Sequence, residues 1–147
     1  FSNDNRHVVR CLLQCITSFG PWFEPHAKKF VDVRDVQLDL VKALGKSHGF
    51  NQVPLLKSLI EGERNTLIVR GMQSLSKIHS VEAIELIGSY LLTHESRYVR
   101  RNAAEYLGET GRIAALSYLQ KVGDDISFGV KDSARRSIEK IKAKHKS

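Results

Sequence analysis

Apolar residues recur three and four apart along most of the chain, and the interval resets at intervals of about 32 residues. The clearest stretch is 97–125. There Val99, Ala103, Tyr106 and Leu107 mark one helical stripe, and Ile113, Leu116, Leu119 and Val122 mark a second. Gly108 and Gly111 are expected to bracket the turn between the two helices, because a glycine just past a helix end closes the last carbonyls in a left-handed conformation. Asp124 and Asp125 supply polar breakers before the next helix.

Stepping back 32 places repeats the pattern in a worn form. Leu107 falls on Leu75, Ile113 on Val81, Ala115 on Ala83, Leu116 on Ile84 and Leu119 on Ile87, while Gly111 falls on His79. The unit before carries Val36, Leu40 and Leu44-Gly45, then Leu56 and Leu59, with Pro54 in the first turn of its second helix, where a missing N–H costs nothing. Stepping forward, Val130, Ala134 and Ile138 fall on Val99, Ala103 and Leu107. At the start, Val8, Leu12 and Ile16 fit the same stripe, followed by an irregular Gly20-Pro21-Trp22-Phe23 connection. In that connection Trp22 and Phe23 are read as a plug for the open end of a core. The predicted organisation is a first helix with a short, Pro-interrupted second, three full hairpins and a lone final helix. Units of this size cannot bury their own apolar face, so they stack, with atypical units at the ends.

The spacing Val-Arg-x-x-Ala-Ala-x-x-Leu-Gly-x-x-Gly-x-x-x-Ala-x-x-x-Leu, complete over residues 99–119, resembles HEAT repeats, and among them the short repeats of the phycobilisome-lyase type. The resemblance implies an all-α, right-handed α-solenoid of about four to five antiparallel helical hairpins, read as one domain over residues 1–147. It also implies that Arg100 is the recurrent arginine of such repeats, paired with an acid near the preceding inter-repeat turn, for which Glu95 is the candidate. The unit at 66–95 departs from the pattern, with Leu67-Ile68 in place of Val-Arg and Ser76 and His79 in place of the turn glycines. The missing initiator Met leads us to expect a C-terminal part of a longer polypeptide.

Charge sharpens this picture once it is located. The chain has a net charge of +7, but residues 130–147 hold seven Lys or Arg against two acids, and the rest hold sixteen against fourteen. The body is therefore nearly neutral, and the basic character belongs to the last helix and tail. Cys11 and Cys15 lie four apart on one helix face, which is neither a redox nor a zinc spacing, and they are expected to be small buried hydrophobes. Reduced thiols and the absence of a signal-peptide pattern point to a cytoplasmic protein.

In HEAT stacks the second helices line the concave, binding face. If Leu56, Leu59, Ile84, Ile87, Leu116 and Leu119 point inward, then Lys57 and Glu61, Glu85 and Ser89, and Ser117 and Lys121 point outward, with Tyr118 toward the edge. This mixed-sign set suits a protein or peptide better than a phosphate backbone, which would want a single-sign stripe. The basic patch of Lys131, Arg135, Arg136, Lys140 and Lys142 carries the alternative of nucleic-acid binding, against which stand the neutral body and the lack of interleaved aromatics.

Catalytic constellations are missing from the sequence. No H-E-x-x-H, phosphate-cradling glycine loop or nucleophile elbow occurs. Deoxyhypusine hydroxylases, which are built on HEAT repeats, hold two irons with several His-Glu pairs, and this chain has the single pair His94-Glu95, expected in a solvent-exposed turn. The expected function is thus a non-catalytic protein-interaction scaffold without metal or cofactor. A further alternative is the accessory C-terminal repeat domain of a larger enzyme, including a lyase-type subunit.

Overall fold

The computed structural model describes residues 53–146 apart from His79, together with His7, Arg10, Cys11, Gln14, Leu38 and residues 40–42. Expectations for Val8, Leu12, Cys15, Ile16, Trp22, Phe23, Val36, Leu44 and His79 lie outside the described residues. Every described regular element is helical, as the periodicity predicts. The elements are α1 (Val53–Ile60), α2 (Asn65–Ser76), α3 (Val81–Thr93), α4 (Arg97–Thr110), α5 (Leu116–Gln120) and α6 (Phe128–Lys144), with 3₁₀ turns at Ile113–Ala115 and Lys121–Asp124. The chain forms two compact units, Phe1–Ser74 and Leu75–Ser147.

In the first unit, α1 buries Val53, Leu55, Leu56, Leu59 and Ile60, and Pro54 occupies its first turn. A tight turn through Gly62, at φ 71°, reverses the chain into α2. Leu67, Ile68, Val69 and Met72 of α2 are buried. Gly71 lies directly against the Ile60 side chain, where a Cβ would clash. The Ser74 hydroxyl, itself buried, donates to the carbonyl of Val41 at 2.6 Å, tying α2 to the helical segment that precedes α1. Cys11, expected inside, is exposed, and its Sγ lies 3.7 Å from His7 Nε2 one helical turn away. Its spacing defined a face but not which way the face turned.

In the second unit, α4 packs between α3 and α6. Ser80 begins α3 as an N-cap, its hydroxyl accepting from the Ala83 N–H at 3.2 Å, a contribution of about 1 kcal/mol. Ala83, Ile84, Ile87 and Leu91 form its buried stripe, and Val99, Ala103, Ala104 and Leu107 form that of α4. Each buried Leu or Ile is worth about 1.5–3 kcal/mol relative to exposure. The same hydroxyl-to-carbonyl bond seen at Ser74 recurs here. Ser137 on α6 donates to Ala104 on α4 at 2.8 Å, and Ser74 and Ser137 occupy the same place two repeats apart.

Two expectations need correction. Gly108 does not bracket the turn, because α4 continues through Thr110 and only Gly111, at φ 62°, ends it in the left-handed conformation. Gly108 instead permits close approach: a Cβ there would run into the Ser137 hydroxyl and stand 3.0 Å from its Cα. The second stripe also fails to make one continuous helix. Its first turn is 3₁₀, with the Ala115 N–H donating to the Arg112 carbonyl. Ile113, expected in the core, is 59% exposed, and its repeat-mate Val81, at the start of a regular α-helix, is 61% exposed, so this first position faces solvent in both repeats.

Gly108→Ala gains about 1 kcal/mol of helix propensity but overpacks the α4–α6 contact at a cost of about 1–3 kcal/mol. Thermal unfolding followed by circular dichroism should show a lowered midpoint. Gly123→Ala, where nothing lies within 4 Å of the new Cβ, should leave the midpoint unchanged or raise it. Equal midpoints for the two variants would contradict the packing role of Gly108.

Candidate interaction surface

The residues predicted to point outward on the second helices do so. Lys57, Glu61, Glu85, Ser89, Ser117 and Lys121 are exposed, and Tyr118 is half-buried. Lys57 lies in the last turn of α1, where its charge complements the helix dipole. Glu61 falls one residue beyond that helix, in the turn, its N–H donating to the Lys57 carbonyl. In the second unit α3 and α5 are in contact. Gly88 makes that contact close, because its missing Cβ leaves the place where the Tyr118 ring sits. The Lys121 ammonium stands 5.9 Å from the centre of the same ring, an exposed cation–π contact of about 0.5–1 kcal/mol. Glu85 and Ser89 on α3, and Ser117, Tyr118 and Lys121 on and after α5, are thus carried by neighbouring helices of one unit.

Arg100 organises the turns at the ends of these helices. Its Nε and Nη2 donate to the two carboxylate oxygens of Asp125 at 2.8 and 3.1 Å. Its Nη1 donates to the carbonyls of His94 and Glu95 at 2.9 and 2.8 Å. The expected partner, Glu95, therefore contributes its backbone and not its carboxylate. The acid lies in the following turn, where the backbone delivers Asp125 opposite the guanidinium fork. The two side chains are only 11% and 9% exposed. Asp125 also accepts from the Ser127 N–H at 2.8 Å, fixing the approach to α6. The Arg100 hydrogen bonds, then the Ser127 N–H and the positive charges of Arg100 and Lys131, hold the Asp125 carboxyl below its usual pKa, against the opposing effect of burial.

Stacked hairpins with an arginine bridging successive turns now have a sequence counterpart. A family model for HEAT repeats matches residues 53–139, more than half of the chain. The chain belongs to the HEAT-repeat family. No curated protein sequence matches it. Among solved structures, human deoxyhypusine hydroxylase in complex with glycerol is similar, with a TM-score of 0.63 and 22% identity over 71% of this chain. The match spans 36% of that protein, and at this identity the likeness shows the fold alone.

The pair His94-Glu95 sits in the turn between the HEAT helices α3 and α4. Glu95 is exposed, as expected, but His94 is half-buried and engaged. Its Nδ1 accepts from the Ser96 N–H at 3.0 Å, which leaves Nε2 as the protonated nitrogen of the neutral ring. The ring also leans against Tyr90, with centroids 6.0 Å apart. Among the described residues, no three His, Cys, Asp or Glu side chains come together to hold a metal ion, and no helix is long and apolar enough to cross a membrane.

The basic residues of α6 do not form one stripe. Lys131, Arg135 and Lys142 follow one face with Ile138, whereas Arg136 and Lys140 lie on another. Asp132 bridges both Arg135 and Arg136, and Glu139 takes a second bond from Arg135 at 2.9 Å. These carboxylates offset two of the five cations. Ile126 and Phe128, in the turn that Asp125 anchors, stand 97% and 79% exposed. Asp125 was legible only as a helix breaker.

Because Asp125 titrates lower in the folded chain than in the unfolded one, its contribution is complete above the unfolded pKa of about 3.9 and is lost as pH falls through the folded value. Asp125→Asn should therefore lower the thermal midpoint at pH 7, and its deficit relative to wild type should shrink as pH is taken below 4. Asp125→Ala should cost about 3 kcal/mol in denaturant unfolding at pH 7, as expected for an almost buried pair that loses one partner. A deficit independent of pH would show that the ion pair contributes nothing as a charge pair.

Proposed function

We propose that this chain is a non-catalytic HEAT-repeat scaffold domain of the cytoplasm that grips a protein or peptide through the face of its second helices. What supports the reading most is the exposed, mixed-sign set on α3 and α5 (Glu85, Ser89, Ser117 and Lys121) around a half-buried Tyr118. An aromatic ring already seated on Gly88 loses little side-chain freedom on binding and can act as an anchor, while flanking charges of both signs set register. Lys57 and Glu61 are the exposed second-helix positions of the first unit. Phosphate-backbone binding is the weaker reading, because α6 divides its cations between two faces and bridges Arg135 and Arg136 to acids.

The triple charge reversal Lys57→Glu, Glu85→Lys and Lys121→Glu leaves the net charge two units lower and touches only exposed residues, so the helical content should hold. Proteins retained from lysate by the immobilised wild-type domain should be lost, by at least tenfold, from the reversed variant. Tyr118→Ala should weaken retention on its own. Retention of the same proteins by the triple variant would contradict the assignment of this face.

A further inference from the structure

In the second unit α3 touches the 113–115 turn, then α5, then the 121–124 turn. The two second-helix segments therefore run side by side, and their repeat-mates form three levels. Val81 stands level with Ile113, Glu85 with Ser117, and Ser89 with Lys121, and all six are exposed. Along the helix direction the face reads apolar, acidic, basic. We propose that it takes an extended segment of a partner protein whose alternate residues read apolar, basic, acidic. The proposal rests on the second-helix reading and names the occupant of that same face.

Both charges are available to a partner. Among the described residues neither Glu85 nor Lys121 enters an ion pair, whereas Arg100, Arg135 and Arg136 are each bonded to a carboxylate already. Glu82, also exposed, adds a second carboxylate close to the acidic level. A partner Lys or Arg opposite Glu85, with an Asp or Glu opposite Lys121, forms new pairs without displacing an old one. The exchanged order sets like charges together at both levels, so the face discriminates by repulsion as well as attraction.

Spacing selects the conformation. Residues four apart on a helix are separated by about 6 Å along its axis, and alternate residues of an extended chain by about 6.6 Å. Three alternate side chains on one side of an extended segment thus meet the three levels in turn. A helical partner would need a continuous apolar stripe, and of the three levels only the first is apolar. The Tyr118 ring, seated on Gly88, already fills the space between the two helices. Val81, at 61%, is as exposed as Ile113 at 59%, although a further repeat is stacked against its helix. The apolar level therefore belongs to the register of the repeat.

End-blocked peptides titrated into the full, ¹⁵N-labelled 147-residue chain test the order, with amide shifts as the readout. Thr-Leu-Thr-Lys-Thr-Glu-Thr carries the complementary order on threonine spacers, which favour extended backbone. Thr-Leu-Thr-Glu-Thr-Lys-Thr carries the charges exchanged, and each is also made in reversed sequence to allow either chain direction. The complementary order should give saturable shifts in α3 and the 113–124 segment, at least tenfold tighter than the exchanged order and weaker with added salt. Val81→Asp with Ile113→Asp, two exposed positions, should weaken binding tenfold or more. Glu85→Lys should do the same, and a peptide with Glu in place of its Lys should recover binding to that variant. Equal binding of the two orders, no recovery by the compensating peptide, or no saturable shift with any peptide would overturn the proposal. Loss of lysate proteins from the triple charge-reversed variant tests the face itself, so that assignment can stand when the order fails.

Discussion

Arg100 lies at the meeting point of two successive turns, and its guanidinium supplies a donor to each of four acceptors there. Two belong to the carboxylate of Asp125 and two are the carbonyls of His94 and Glu95, left without helical partners where α3 ends. A lysine would bring the charge but not the planar fork, so the geometry depends on the residue type. Asp125 passes the constraint onward by accepting the Ser127 N–H, which sets the direction in which α6 starts. The α4–α6 contact then closes over Gly108, with Ser137 bonded to the Ala104 carbonyl. Each later contact in the second unit presupposes that the turns are in register, and one ion pair supplies that register.

Helix type, period and most of the buried positions were legible in the sequence, because an apolar stripe is a local property. Leu56, Ile84, Ile87, Val99, Ala103, Leu107 and Leu119 are buried as their spacing requires. Two of the misreadings share a cause. Gly108 and Gly111 look alike three residues apart, yet one meets a neighbouring helix and the other ends its own. Glu95 is close to Arg100 along the chain, and Asp125, twenty-five residues away, is close in space. Ile113 keeps the apolar period but, like Val81 one repeat earlier, opens its segment and faces solvent. For Gly108 and Arg100 the deciding partner belongs to another element.

The candidate surfaces divide along the same line. Outward positions on the second helices follow from the stripe, which is why Glu85, Ser89, Ser117 and Lys121 are legible in the sequence, although Glu61 lies in a turn and not on a helix. Localised charge links the two surfaces. A nearly neutral repeat body offers both signs to a partner, while the final helix divides its cations between two faces and pairs Arg135 and Arg136 with Asp132 and Glu139.

The central claim is that the Arg100–Asp125 pair couples the last repeats into one cooperative unit. Native-state hydrogen exchange of wild type and Arg100→Lys measures this coupling directly. The account predicts that amides of α5 and α6 lose protection together in the variant, by about tenfold or more, while those in the middle of α3 change little. Equal protection in the two proteins, or a loss confined to the 94–97 turn, would contradict it.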